Sequence, residues 1–193
     1  MHPNGRLRRQ PFHSAEHASW CIPLTQGVIA LVDAEDVEQL AAFNWYAGLA
    51  GQGWVAQRNR KTDDGRRRTS LMHIEIMDPP ADMVVDHRVH FPVEELLIDN
   101  RRANLRICDM SQNMQNQRPK RRQNRTSRYK GVHWQFNKGS QYGRWFSHIR
   151  VNGQQVHLGR FTSESEAAAA YDRAATEHFG EFAMTNQKLG LLP

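Results

Sequence analysis

Residues 143–161 read GRWFSHIRVNGQQVHLGRF, two stretches of alternating apolar and polar side chains joined by Asn152-Gly153. That dipeptide suits the two positive-φ positions of a type I′ turn, so the stretches pair as an antiparallel hairpin with Val151 opposite Gln154. The register follows by counting: Ile149 faces Val156 and His148 faces His157. One face then collects Trp145, Ile149, Val156 and Leu158, and the other Arg144, His148, Arg150, Gln155 and His157. Upstream, 129–136 is a further strand, reached through a loop containing Gly and Lys. Downstream, Ser163 and Glu166 form a capping box ahead of an alanine-rich helix over 167–178, closed by Gly180. The small side chains of that helix permit close approach to the apolar face. The expectation is a three-stranded antiparallel sheet packed on one helix over 128–187, with a short tail at 188–193.

Outward from this unit, 118–128 reads RPKRRQNRTSR, in which six of eleven residues are basic and none is acidic or suited to a core. It is read as a basic linker over 118–127, with Arg121 and Arg122 lying along phosphates. The whole chain of 193 residues carries 26 Lys and Arg against 20 Asp and Glu, a net charge of +6. That balance fits a polyanion partner, a membrane surface or an ordinary solvated exterior, and the placement of the charge has to decide. Two cysteines, Cys21 and Cys108, exclude a disulfide framework and a thiolate zinc ribbon. No apolar run approaches the ~18 residues of a membrane span, and no apolar segment backs the basic N-terminus, so a soluble cytoplasmic protein is expected.

The first part of the chain is read as a flexible basic tail over 1–18 and a domain over 19–117. A strand, a turn with Asp33 as helix cap and a short helix carrying Trp45 occupy 20–45. A strand at 54–58, a charged turn at 61–68 and an apolar segment at 71–77 follow, with Trp20, Trp45 and Trp54 assigned to the core. Val84-Val85-Asp86-His87 is then a short strand ending in an acid and a histidine; Leu105 to Cys108 is a second strand preceded by Asn104; and Ser111 opens a polar helix with Asn113 in its first turn. Two strands and a helix would bring Asp86, His87 and Asn113 together.

VVDH, IDNRRANLRIC and SQNMQNQ, in this order, resemble the HNH or ββα-metal nucleases, in the form found in phage and intron-associated homing enzymes. The resemblance implies that Asp86 and Asn113 hold a divalent metal, Mg²⁺ or Mn²⁺, that His87 is the general base and that Asn104 fixes the hairpin loop. The third letter of the motif is here an asparagine. The residue types suit the chemistry, since a neutral imidazole activates water near pH 7 and oxygen ligands suit a hard cation. One departure is the interval RVHFPVEELLID at 88–99, several residues longer than in the family; it is read as a hairpin-loop insertion, and it offers His90 as a rival base. His73, in LMHIEIM, stands where relatives often carry His-Arg and is read as a phosphate contact or a half-buried histidine.

YKGVHWQF, GRW, HIRVNG, VHLGRF and HFGEFAMTN look like the ethylene-response-factor, or Apetala-like, DNA-binding domain over about 128–186. The resemblance implies a sheet in the major groove with Lys130, His133, Arg144, His148, Arg150 and His157 as contacts, although His157 replaces the usual tryptophan. Together the readings give an α+β chain of bacterial, phage or prophage setting, with a ββα-metal nuclease domain followed by a sheet-and-helix domain. It is expected to be a monomer or weak dimer that nicks double-stranded DNA. The alternative is a DNA-binding regulator whose nuclease centre is silent; RNA binding is disfavoured because the sheet lacks a row of exposed aromatics.

Overall fold

A computed structural model of the chain describes residues 9–50, 53–91, 93–117, 126–136, 138 and 142–193. It is a mixed α+β structure, mostly small sheets, dividing into two compact units, Met1–Met110 and Ser111–Pro193. The division falls inside the first turn of a helix rather than in the basic stretch expected as the linker, whose residues 118–125 lie outside those described.

The first unit holds β1 (Phe12–Ser14), β2 (Ser19–Pro23), β3 (Ile29–Val32), α1 (Val37–Ala41), β4 (Tyr46–Ala50), β5 (Gly53–Lys61), β6 (Arg67–Leu71), α2 (Met72–Met77), β7 (Val84–His87), β8 (Leu97–Asp99) and β9 (Leu105–Cys108). β1-β2-β3-β8 form one sheet, β4-β5-β6 a second, and β7-β9 a two-stranded antiparallel ribbon. Ile22, Val28, Ala30, Val32, Leu40, Trp45, Met72, Val85, Ile98 and Leu105 meet in a single apolar core, with Trp20 and Trp54 packed against it. Burial of this size is the main favourable contribution to folding of the unit.

Four expectations are corrected by the structure of this unit. Residues 12–14, placed in a flexible tail, pair with β2, where His13 sits edge-on against Trp20 with ring centroids 5.8 Å apart. Asp33 makes no side-chain cap on its helix, because its carboxylate accepts from the backbone N–H of Arg102 at 2.7 Å. The charged turn is shorter than read: β5 and β6 pair as far as Lys61 opposite Arg67, so a long hairpin stands where a loop was expected. The stretch 88–99 is no mere loop, since it returns as β8 to pair parallel with β3, Ala30 opposite Ile98. Burying Ile98 in the core gives that excursion its register.

The second unit holds α3 (Met110–Gln115), β10 (Val132–Phe136), β11 (Gly143–Val151), β12 (Gln154–Phe161) and α4 (Glu164–Phe179). The sheet order is β10-β11-β12, and the hairpin pairs Val151 with Gln154, Ile149 with Val156 and His148 with His157, as counted from the turn. The Ser163 hydroxyl accepts from the backbone N–H of Glu166, one half of the expected capping box, at the start of α4. Ala167, Ala168, Ala174 and Ala175 of α4 are buried against the sheet with Tyr129, Val132, Ile149 and Tyr171. Val156, assigned to that face, is 39% exposed; beside the turn, Ile149, Val151 and Leu158 make the contact instead. Gly131 has φ +77°, and a Cβ there would lie 1.9 Å from Tyr171 Cδ2, so only glycine lets β10 approach the helix this closely. The segment 188–193 is also more than a tail, because Leu191 and Leu192 pack on the Tyr129 and Val132 cluster.

Candidate nucleic-acid interface and a buried histidine cluster

In the second unit the strand register fixes which side chains face away from α4. Directly opposed residues in an antiparallel ladder share a face. Gln135 with Arg144, His133 with Phe146 and Arg160, His148 with His157, and Arg150 with Gln155 therefore form the outer surface. Arg144, Arg150, Gln155, His157 and Arg160 are exposed, and His133, Phe146 and His148 are half-buried. Phe146 is the centre of the group: its ring lies 5.5 Å from that of His133 and 5.3 Å from that of His157, with the Arg160 guanidinium 5.0 Å above it. His133 and His148 meet edge to face at 5.1 Å. Burial first, and then the neighbouring His133, His157 and Arg150, hold the His148 imidazole below its ordinary pKa.

Five of the six expected contacts in this unit, His133, Arg144, His148, Arg150 and His157, thus share one surface, and Lys130 does not. Its ammonium donates to the carbonyls of Gln115 at 3.0 Å and Gln117 at 2.9 Å, and burial draws its pKa down to about 8. It is a tie within the unit, contrary to the expectation. Arg121 and Arg122 lie outside the described residues. Phe146 and Arg160 were missed, for different reasons. The register shifts between Ser147 and His148, so that Gly159 rather than Leu158 follows in the ladder, and every later residue of β12 changes face. A one-residue bulge reverses side-chain parity, which turns Arg160 outward. The signal was available: an isolated glycine inside a strand marks such a bulge, and Gly159 has φ +138°. Phe146 has the outward parity of Arg144 and His148, and was overlooked only because it is apolar.

In the first unit, β7 and β9 set Asp86 opposite Arg106 and His87 opposite Leu105. The Arg106 guanidinium donates to Asp86 Oδ2 through Nε at 2.9 Å and Nη2 at 2.7 Å, with both side chains buried. Asp86 Oδ1 faces His90 Nε2 at 3.9 Å. His87 Nε2 lies 2.8 Å from Asn100 Oδ1. An amide oxygen only accepts, so in the neutral ring Nε2 carries the proton and Nδ1 is the basic nitrogen. The rings of His73 and His90 lie 4.9 and 5.6 Å from that of His87. Burial pushes the His87 pKa down, against the opposing effects of Asn100, Asp86 and Asp99. Asn104 is a staple: Nδ2 donates to the carbonyls of Val89 at 3.1 Å and Asp99 at 2.9 Å, while Oδ1 accepts from the Val89 N–H at 2.9 Å.

Asp86, His87 and Asn104 are thus gathered within the first unit, whereas Asn113 lies on α3 and belongs to the second. The reading of His73 as a phosphate contact is corrected. It sits on α2 with 7% of its surface exposed, and burial lowers its pKa to about 3, so it is a neutral packing partner of His87. Asn100 was not singled out from the sequence, because its position against His87 depends on the return of β8 to the sheet. Among the described residues no group of three or more His, Cys, Asp or Glu side chains could hold a metal ion. No helix among them is long and apolar enough to cross a membrane.

No protein-family model matches the chain. Part of it is similar to plant proteins. APETALA2-like protein 2 of rice is 46% identical over 56 residues, 29% of this chain and 12% of that protein. The AP2-like ethylene-responsive transcription factor TOE2 of Arabidopsis thaliana is 42% identical over 66 residues, 34% of this chain and 13% of its own length. The AP2/ERF and B3 domain-containing transcription repressor TEM1 of the same plant is 44% identical over 63 residues, 33% and 16% of the two chains. These likenesses support an AP2-like domain in about a third of the chain. The chain spans less than a fifth of the length of each of these relatives.

Proposed function

We propose that the second unit binds double-stranded DNA through the outer face of β10, β11 and β12, and that this binding is the core of the protein's function. The observation that carries the reading is the composition of the sheet: β10, β11 and β12 contain no acidic residue, and their outer surface gathers Arg144, Arg150 and Arg160 with three imidazoles. A twisted antiparallel ribbon fits the major groove, and Arg and Gln there bond base edges or phosphates. Relatives of part of the chain that are named as transcription factors or repressors support it. The test is anisotropy titration of labelled duplex with the parent and with Arg144→Gln/Arg150→Gln/Arg160→Gln. Removing hydrogen bonds to base edges worth about 1–3 kcal/mol each should weaken binding at least tenfold. Equal binding by both proteins, or tighter binding of single-stranded RNA than of duplex, would sink the reading.

A second reading adds phosphodiester hydrolysis in the first unit. It is favoured by a neutral His87 oriented by Asn100, an adjoining carboxylate and a loop stapled by Asn104. A base at His87 Nδ1 would take a proton from water. Mg²⁺ or Mn²⁺, when bound, would stabilise the charge that develops on phosphate and leaving oxygen. In this reading Asp86 would supply an oxygen to such a cation, but the described part of the first unit offers no second ligand from the expected set. One such centre per chain would nick rather than cut both strands. The test is relaxation of supercoiled plasmid with each cation. His87→Ala should lose about 10²–10⁴-fold in rate while its DNA affinity is unchanged. A parent that relaxes no plasmid in either cation would leave a DNA-binding regulator with a silent centre.

A further inference from the structure

The hairpin of β5 and β6 is longer than the fold requires. Its base is built in: Arg58 Nε donates to Glu75 Oε1 at 2.8 Å, the same guanidinium stacks 3.7 Å over the Phe43 ring, and the Tyr46 hydroxyl donates to Asn59 Oδ1. Beyond Arg58 the ribbon continues for three residues on each strand, roughly 10 Å at strand rise, before the turn. Arg60 stands directly opposite Arg68, and Lys61 directly opposite Arg67. All four are exposed, and none makes a side-chain hydrogen bond or ion pair among the described residues. From 59 to 69 the segment holds five cations and two acids. One of the acids, Asp64, is spent inside the turn, accepting from the Thr62 hydroxyl and the Arg66 N–H.

Like charges directly opposed across a ladder destabilise it, and two such pairs in succession bring the fold no return. Lysine or arginine on an edge strand can serve to block aggregation, and beyond Gln57 both strands of the ribbon are edges; one cation on each strand would meet that need, whereas here each strand carries two, directly opposed. Successive pairs point to opposite faces, so the ribbon is positive on both sides. A flat anionic surface such as a lipid bilayer would engage one face only. A groove with phosphates on both walls engages two, and a ribbon of roughly 10 Å matches the depth of the DNA major groove, about 8.5 Å.

We infer that the tip of the β5–β6 hairpin is a second DNA-binding element, an arm that inserts into a duplex groove and grips phosphates without reading sequence. The inference rests on the proposal that this is a duplex-binding protein, and extends it to the first unit, where neither the sequence motifs nor the likeness to the plant proteins assigns this hairpin a role. The experiment compares the full chain with Arg60→Gln/Lys61→Gln/Arg67→Gln/Arg68→Gln and with the sheet variant Arg144→Gln/Arg150→Gln/Arg160→Gln. Binding to random-sequence duplex is followed across a salt series, with a thermal melt confirming that each variant folds. The arm variant should bind all duplexes more weakly alike, and its slope of log K against log salt should fall by about 0.9 for each phosphate no longer neutralised. The conservative Arg60→Lys/Arg67→Lys/Arg68→Lys variant should keep the parent's slope. An arm variant with the parent's affinity and slope, while the sheet variant loses binding, would overturn the arm and leave the DNA reading intact. A parent that binds no duplex would overturn both. Loss of binding to phosphatidylserine vesicles, with duplex binding unchanged, would reassign the arm to a lipid surface and overturn the inference.

Discussion

His73 shows how burial decides between two readings of a single residue. In LMHIEIM it reads as a phosphate contact or a half-buried histidine, and α2 turns it inward against His87, where burial disfavours the charged ring. Its folded pKa of about 3 lies below the value of about 6.5 expected in the unfolded chain, so the unfolded state takes up the proton first. Stability from this source is therefore complete above about pH 6.5 and lost as the pH falls from there toward 3, at up to about 1.4 kcal/mol per pH unit. Urea midpoints measured between about pH 7 and pH 4.5 should fall more steeply for the parent than for His73→Leu. Equal slopes would mean that His73 is solvated in the native protein. The same burial keeps His87 neutral, while Asn100, brought by β8, orients its ring. The acid beside it was legible as a motif; its buried pairing with Arg106 was not, because that depends on strand register.

At the scale of elements, the hairpin around Asn152-Gly153 was legible down to its register, since turn chemistry and alternation are local. Simple counting fails at Gly159, the isolated glycine that marks a bulge, where one extra residue moves Arg160 onto the outer face and Phe161 onto the helix side. The approach of β10 to α4 is a second case. Gly131 precedes the strand with a positive φ, its carbonyl accepts from the His148 N–H at 2.9 Å, and Tyr171 fills the space a Cβ would need. Gly131→Ala should cost more than the ~1 kcal/mol typical of a point substitution, since it combines backbone strain with a steric conflict in the core. A thermal melt of the full chain should show the transition of the second unit shifted down. An unchanged transition would mean that the sheet can move off Tyr171 at little cost. The β5–β6 hairpin was read as strand and turn but cut short, because a run of arginines looks like a loop unless a partner strand is known.

For the whole molecule the net charge of +6 acquires meaning from its distribution: the acid-free sheet, the β5–β6 arm and the basic stretch at 118–128. Changing Lys120, Arg121, Arg122 and Arg125 to Gln should weaken binding to every duplex alike and lower the salt slope by about 0.9 for each phosphate they neutralise in the parent. A slope equal to the parent's would make the stretch a solvated connector. The sequence by itself determined the sheet-and-helix topology of the second part and the histidine and asparagine motifs of the first. Those rest on turns, caps, periodicity and charge runs, which act over a few residues. Tertiary structure alone decided that 88–99 returns as a strand beside β3, that Asn100 meets His87, that His73 is buried and that Lys130 is tied to the Gln115 and Gln117 carbonyls. Each of these depends on packing between segments distant in the chain. Burial and the pairing of distant strands are properties of the assembled core, and a local pattern cannot specify them.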